Sequence, residues 1–197
     1  IREQFDVYAS VGCDDKGTVL FTGYFTPVFD GSRESSGRFK YPLYSQPEDL
    51  EKNPEGVTLG RRTVDGIVPY PPRAELEDSG MLQGREIMWL DDPFQVFIVH
   101  VQGSAMIRQP DGSLVGIGYA ANNGHPYQSI GQKMVEDGKI PEDRMSLSAM
   151  IEYFKAHPNE ISEYTRQNPR FVFFQVADGP PRGSLNEPVV PYRTIAT

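Results

Sequence analysis

The stretch Tyr119-Ala120-Ala121-Asn122-Asn123-Gly124-His125-Pro126-Tyr127-Gln128-Ser129-Ile130-Gly131 is the most informative part of this sequence. It follows an apolar run that predicts a strand over 114–120, and it precedes a helical pattern with Ser129 as the N-cap. Gly124 and Pro126 mark a turn between the two elements. The stretch therefore predicts a polar loop at the point where a strand ends and a helix begins.

The side chains of this loop also suit a sugar ligand. Amides and hydroxyls bind the hydroxyl edge of a pyranose, and aromatic faces stack on its apolar C–H face. Two asparagines, a histidine and two tyrosines lie within nine positions, 119–127. A plain turn followed by a capped helix explains the same residues without a ligand. Taken alone, the stretch leaves both interpretations open.

Composition limits the class of protein. The chain has 197 residues, 38% of them hydrophobic, enough for one large or two small domains. Its formal net charge of −8 argues against nucleic acid as a partner, because phosphate binding needs a basic surface. With Cys13 as the sole cysteine, no intrachain disulfide is possible. His100, His125 and His157 lack metal-ligand spacing, so we expect no metal and no cofactor.

Short strands dominate the pattern, because 17 prolines and 19 glycines interrupt the chain. β-branched and aromatic runs predict strands over 18–25, 86–90, 94–101, 105–109, 114–120 and 171–176. Capping residues and helical spacing predict helices over 74–83 and 129–137, after Ser146, and over 159–167. We therefore predict a mainly β fold with two or three short helices within residues 128–168.

Three further segments accompany the polar loop in a fixed order: Gly23-Tyr24-Phe25-Thr26-Pro27, Val99-His100-Val101-Gln102-Gly103-Ser104 and Phe171-Val172-Phe173-Phe174. Together with the polar loop they resemble the MltA family of membrane-bound lytic transglycosylases. The resemblance extends over about residues 18–197 and includes Tyr41-Pro42-Leu43-Tyr44 and the turn Asp111-Gly112-Ser113. Four ordered motifs are far more specific than any one of them.

The resemblance implies a fold of two parts. Residues 1–27 and 170–197 would form part of a barrel of the double-psi type, and residues 28–169 would form an inserted β-barrel domain. Strands 18–26 and 171–176 would then lie in one sheet, although about 145 residues separate them. Because no basic-then-apolar signal precedes Cys13, we expect any lipid anchor to lie outside this chain.

The resemblance also implies a reaction. Lytic transglycosylases cleave the β-1,4 bond between N-acetylmuramic acid and N-acetylglucosamine in peptidoglycan and form a 1,6-anhydro sugar, using one carboxylic acid. In the family an Asp-rich segment carries this acid, and no Asp-x-Gly-Gly-Ala-Ile-like motif occurs here. We therefore expect the acid beyond Thr197, on a C-terminal barrel segment that completes the enzyme. The implied partner is the peptidoglycan glycan strand, on the periplasmic face of the outer membrane or in the cell envelope.

The expected glycan-binding wall combines residues from all the motifs, namely Tyr24, Thr26, Gln102, Ser104, Tyr119, Asn122, Asn123, His125 and Tyr127. Strand-end packing is the alternative role for Tyr24 and Thr26, and a structural hydrogen bond is the alternative for His125. Two other functions stay open at this point. One is a carbohydrate- or peptidoglycan-binding module without catalysis. The other is a self-contained glycosidase that uses Asp91, Asp92 or Glu187.

Overall fold

The computed structural model describes residues 26–177 and Val190, and orders them as nine strands and five α-helices. The strands are β1 (Val28–Ser32), β2 (Tyr41–Tyr44), β3 (Leu50–Lys52), β4 (Thr58–Thr63), β5 (Gly66–Val68), β6 (Glu86–Leu90), β7 (Ser104–Arg108), β8 (Leu114–Asn122) and β9 (Val172–Ala177). The α-helices are α1 (Arg73–Ser79), α2 (Pro93–Gln102), α3 (Ile130–Glu136), α4 (Leu147–Ala156) and α5 (Ile161–Thr165). The mainly β class with short helices is confirmed.

Six strands form one mixed sheet in the order β2-β6-β1-β7-β8-β9. Strands β1 and β7 are parallel, and the other neighbours are antiparallel. The two outer strands meet at one point, where Ser45, directly after β2, bridges Phe174 of β9. The sheet therefore curls towards itself without a continuous ladder between its edges, and the described residues form no closed barrel.

Two apolar clusters fix the sheet and the helices relative to each other. The first lies on the main sheet and includes Leu43, Met88, Ile107, Ile117 and Phe174. The second joins α2 to the later helices and includes Phe94, Phe97, Met134, Phe154 and Tyr164. Burial of such large side chains provides the main favourable free energy of folding. Helix α2 thus lies between the sheet and helices α3 to α5, and it contacts both.

Strands β3, β4 and β5 form a second, three-stranded antiparallel sheet. This small sheet is tied to the end of β8 by two hydrogen bonds. The Lys52 Nζ donates to the Ala120 carbonyl at 2.8 Å, and the Thr58 hydroxyl donates to the Asn122 carbonyl at 2.6 Å. The small sheet therefore flanks the point where the polar loop begins.

One predicted element is wrong: residues 94–101 form helix α2 and not a strand. The Asp92 carboxylate caps the helix by accepting from the Phe94 and Gln95 backbone N–H groups, and Pro93 occupies the first turn. Gly103 ends the helix with a φ of 76°. The run is apolar at nearly every position because α2 is buried between two layers, so its periodicity does not distinguish a helix from a strand.

The remaining helix predictions are confirmed. Ser129 caps α3 by accepting from the Gln132 N–H, and Ser146 caps α4 by accepting from the Ala149 N–H. Helices α3, α4 and α5 are the three short helices within residues 128–168. The predicted turn over 110–113 joins β7 to β8 as an antiparallel hairpin. Local capping and turn chemistry determined these elements.

The predicted division into two domains includes residues that the structure does not describe. Strand 18–25 falls there, as does most of the expected partial barrel over 1–27 and 170–197. Within the described part, β9 pairs with β8 from Asn122↔Val172 to Gly116↔Ala177, so it belongs to the main sheet. The boundary near residue 169 and the pairing of 18–26 with 171–176 stay predictions.

Candidate functional site

The end of β8 presents an aromatic ring whose orientation is fixed by an amide. The Asn122 Nδ2 donates to the Tyr119 hydroxyl oxygen at 2.6 Å, while the Asn122 Oδ1 accepts from the Gly124 N–H at 2.8 Å. Side chains three positions apart on a regular strand point to opposite faces, but the ladder shifts register between Tyr119 and Ala121. This irregularity brings Tyr119 and Asn122 together, with 46% of Tyr119 exposed.

The start of β7 lies directly beside this ring. Ser104 is the register partner of Gly118 on β8, and a Cβ placed on Gly103 would lie 3.9 Å from the Tyr119 Cβ. Gln102, the last residue of α2, precedes them and is half-buried. The glycine at position 103 leaves space beside the Tyr119 side chain. The structure therefore places Tyr119 and Asn122 in direct contact, and Gln102 and Ser104 on either side of Gly103, which lies beside Tyr119.

Asn123 has a different environment, because its side chain is buried with only 2% exposed. Its Nδ2 donates to the Pro71 and Pro169 carbonyls at 2.9 Å each, and its Oδ1 accepts from the Phe171 N–H at 2.8 Å. All the polar atoms of the amide are engaged within the protein. Asn123 therefore fastens the polar loop to the segments before α1 and before β9.

His125 and Tyr127 also lie apart from the Tyr119 ring. One His125 ring nitrogen, Nε2, lies 2.7 Å from the Tyr70 carbonyl oxygen, which supports the structural alternative for this residue. Tyr127 is 49% exposed and lines a separate cavity of about 330 Å³ with Gln128, Gln132 and Gln167. Thr26 is half-buried just before β1, and Tyr24 lies outside the described residues.

The alternative acids considered from sequence are engaged in structural contacts. The Asp91 carboxylate accepts from Arg38 at 2.9 and 3.1 Å, and Asp92 caps α2. Glu187 lies outside the described residues. Within residues 26–177 no group of three or more His, Cys, Asp and Glu side chains is arranged to hold a metal ion. Of the helices in this part, none is long and apolar enough to cross a membrane.

Sequence reasoning missed a cluster of ionisable groups beside α2. Arg73, at the start of α1, is 2% exposed and donates to the Asn168 carbonyl, the Arg170 carbonyl and the Glu77 carboxylate. Burial raises the pKa of Glu77 above its ordinary value, against the opposing effect of the Arg73 charge. Burial also lowers the pKa of His100 well below its ordinary value, and Arg73 adds to this. The only sequence signal was the proline-rich segment 69–72 before Arg73.

Comparison with known proteins agrees with this architecture. The family described as MltA specific insert domain matches residues 20–175. The membrane-bound lytic murein transglycosylase A of Escherichia coli (strain K12) is 32% identical over 195 residues, which cover 98% of this chain and 49% of that protein. The chain spans about half the length of the curated relatives it matches.

Two solved structures are similar over most of the chain. A membrane-bound lytic murein transglycosylase from Agrobacterium tumefaciens is 28% identical with a TM-score of 0.78, covering 86% of this chain and 50% of that one. The structure of E. coli MltA with bound chitohexaose is 31% identical with a TM-score of 0.75, covering 91% of this chain and 49% of that one. The sequence match, the shared fold and the four ordered motifs agree, and the chain belongs to the MltA family.

Proposed function

We propose that this chain supplies a glycan-binding wall of a lytic transglycosylase that acts on bacterial peptidoglycan. The observation that carries the proposal is the exposed Tyr119 ring, oriented by Asn122 and lying beside Gly103, just before β7. An oriented aromatic face beside amide and hydroxyl groups matches the apolar and polar sides of a sugar ring. The related E. coli enzyme binds chitohexaose, a polymer of N-acetylated amino sugars.

In this proposal Tyr119 stacks on a sugar ring, and Gln102 and Ser104 bind its hydroxyl or N-acetyl groups. Asn122 keeps the Tyr119 ring in one orientation, so little rotational freedom is lost on binding. Asn123 and His125 would act through the loop that they fasten. Contacts of Tyr24, Thr26 and Tyr127 with the same glycan are further parts of the proposal.

The proposed reaction cleaves the β-1,4 bond between N-acetylmuramic acid and N-acetylglucosamine. A carboxylic acid protonates the leaving glycosidic oxygen, and the resulting carboxylate then takes the proton of the C6 hydroxyl while O6 bonds to C1. The product is 1,6-anhydro-N-acetylmuramic acid, and no water is consumed. No Asp-x-Gly-Gly-Ala-Ile-like motif occurs in the 197 residues, so the proposal assigns the acid to none of them. The corresponding location is the periplasmic face of the outer membrane.

Titration of the chain with chitohexaose, followed by NMR, tests the binding part of the proposal. We expect saturable shifts around Tyr119, Asn122 and Gln102, and an affinity about two- to tenfold lower for Tyr119→Ala, since one aromatic contact contributes about 0.5–1.5 kcal/mol. The matched control is Leu114→Ala, an exposed position at the other end of β8. Shifts confined to another face of the protein would rule out this wall.

Incubation with peptidoglycan tests the catalytic part. We expect no 1,6-anhydro muropeptides, measured by mass spectrometry, from this chain alone, because it lacks the motif of the family's acid. A longer protein that contains this chain distinguishes the two functions. A lytic transglycosylase would form 1,6-anhydro muropeptides, and a non-catalytic binding module would form none. Product from the chain alone that is lost in Asp91→Asn or Asp92→Asn would place the acid here and overturn the assignment.

A further inference from the structure

The ammonium group of Lys52 lies at the end of β8, on the backbone of the residue that follows Tyr119. Its Nζ donates to the Ala120 carbonyl at 2.8 Å. Neighbouring residues of a strand are about 3.4 Å apart along its axis. Ala120 also lies two positions beyond Gly118, the last residue of β8 that pairs with β7. The small sheet therefore brings a cation to the part of β8 that presents the exposed aromatic ring.

In the described part of the chain this cation has no counterion. None of the ion pairs within residues 26–177 includes Lys52, whereas its neighbour Glu51 is paired with Arg62. Lys52 is half-buried, and burial lowers the pKa of its ammonium group below the ordinary value, with no described carboxylate raising it. A partly buried charge costs free energy unless a partner compensates it. The contacts within the described chain therefore do not compensate the charge of Lys52.

The hydrogen bond to Ala120 does not require a charged donor. A carbonyl also accepts from a neutral group, and the Thr58 hydroxyl makes such a bond from the same small sheet to the Asn122 carbonyl at 2.6 Å. An ammonium group has three N–H donors, and among the described residues only the Ala120 carbonyl accepts from it. Because Lys52 is only half-buried, the other two donors are open to a ligand at the end of β8.

One of the two sugars of peptidoglycan carries an acceptor that chitin oligosaccharides lack. N-acetylmuramic acid is N-acetylglucosamine with a lactyl ether on O3, and the lactyl group ends in a carboxyl group. This group is a carboxylate in a peptide-free strand and an amide carbonyl where a peptide stem is attached. Both forms accept hydrogen bonds, and the carboxylate also compensates an ammonium charge. Since the chain has a net charge of −8, attraction of a carboxylate requires a local cation.

We propose that Lys52 is a specificity-determining residue of the glycan wall, whose Nζ donates to the lactyl carboxyl group of an N-acetylmuramic acid residue bound at the end of β8. The inference rests on the proposed function and deepens it. Tyr119 contacts the ring that the two sugars have in common, and Lys52 contacts the group by which they differ. Lys52 thereby determines which sugar of the alternating strand occupies this position.

The test compares two hexasaccharides by NMR titration of the whole chain. One is chitohexaose, and the other is the peptide-free strand in which N-acetylglucosamine and N-acetylmuramic acid alternate, so the two differ only in the lactyl groups. We expect the parent chain to bind the lactyl-bearing strand about fivefold more tightly, and this preference to shrink as the salt concentration rises. Lys52→Met should abolish the preference, and Lys52→Arg should retain most of it because the charge remains.

Lys40→Met is the matched control, because it removes the same charge from an exposed position just before β2. It should keep the preference of the parent chain, which would exclude an effect of net charge alone. A purely structural role of Lys52 would weaken both ligands alike in Lys52→Met and leave the ratio of the two dissociation constants unchanged. That result, or equal affinities of the parent chain for the two ligands, overturns the proposal. If neither ligand shifts the signals around Tyr119, the glycan wall itself fails, and the role of Lys52 fails with it.

Discussion

The end of β8 and the buried surroundings of helix α2 differ in how their polar groups are satisfied. At the end of β8, Tyr119 and Asn122 bond to each other and stay open to solvent. Beside helix α2, the His100 ring is buried and accepts from the Val172 N–H, and the Gln95 Oε1 is buried without a hydrogen bond in the described part of the chain. The first surface is ordered before any ligand arrives. In the second, one unpaired buried oxygen costs about 1–3 kcal/mol of folding free energy.

Removing the buried Arg73 cation beside helix α2 should produce the largest change of stability. Arg73→Met leaves the Asn168 and Arg170 carbonyls and the Glu77 carboxylate without their donor. We expect the free energy of unfolding in urea to fall by about 3–5 kcal/mol. Arg62→Met is the control, since its pair with Glu51 is exposed and should contribute little. Equal losses in the two variants would contradict this account.

Substitutions of the two adjacent asparagines should affect stability and glycan binding separately. Asn123→Ala removes three buried hydrogen bonds, and we expect the free energy of unfolding in urea to fall by about 2–3 kcal/mol. Asn122→Ala should leave stability almost unchanged and weaken chitohexaose binding, because the Tyr119 ring loses its hydrogen bond. The reverse pattern, with Asn122 dominating stability, would show that the end of β8 is not a preformed surface.

The buried imidazole should make stability depend on pH. The His100 pKa is lowered in the folded protein, so below the ordinary value of 6.5 the unfolded chain binds a proton that the folded chain does not. The contribution of His100 is complete above pH 6.5 and is lost as the pH falls, by at most about 1.4 kcal/mol per pH unit.

Urea unfolding between pH 7.5 and pH 5 measures this effect. His100→Gln should show a shallower decline than the parent chain, and His157→Gln, at an exposed position, should decline as the parent does. An unchanged slope in His100→Gln would mean that His100 titrates alike in the folded and unfolded states.

The smallest expected effect concerns the second exposed tyrosine. Tyr127→Ala should weaken chitohexaose binding less than Tyr119→Ala, because Tyr127 lines a separate cavity with Gln128 and Gln132. The ratio of the two dissociation constants, measured by NMR titration, is the test. An equal loss of affinity in the two variants would indicate that this cavity and the end of β8 belong to one groove.

Several elements could be predicted because their signals are local. Ser129 and Ser146 cap the helices that follow them, and the Pro110–Ser113 turn closes a hairpin. Helix α2 could not be recognised from its pattern, because burial on both sides removed the polar face that reveals a helical period. Asp92 and Pro93 were the available signals, and they mark a helix start only when read together.

The order of the motifs in this sequence determined the family. Local patterns determined the mainly β class and the capped helices, since these depend on residues close together in the chain. Tertiary structure alone decided which polar residues face solvent. Asn122 and Asn123 are adjacent and identical, yet one orients an exposed ring and the other is buried between Pro71 and Pro169. The buried environment of His100 likewise exists only because helix α2 packs against Phe171 and Phe174. Burial depends on contacts between distant segments, and no local pattern contains them.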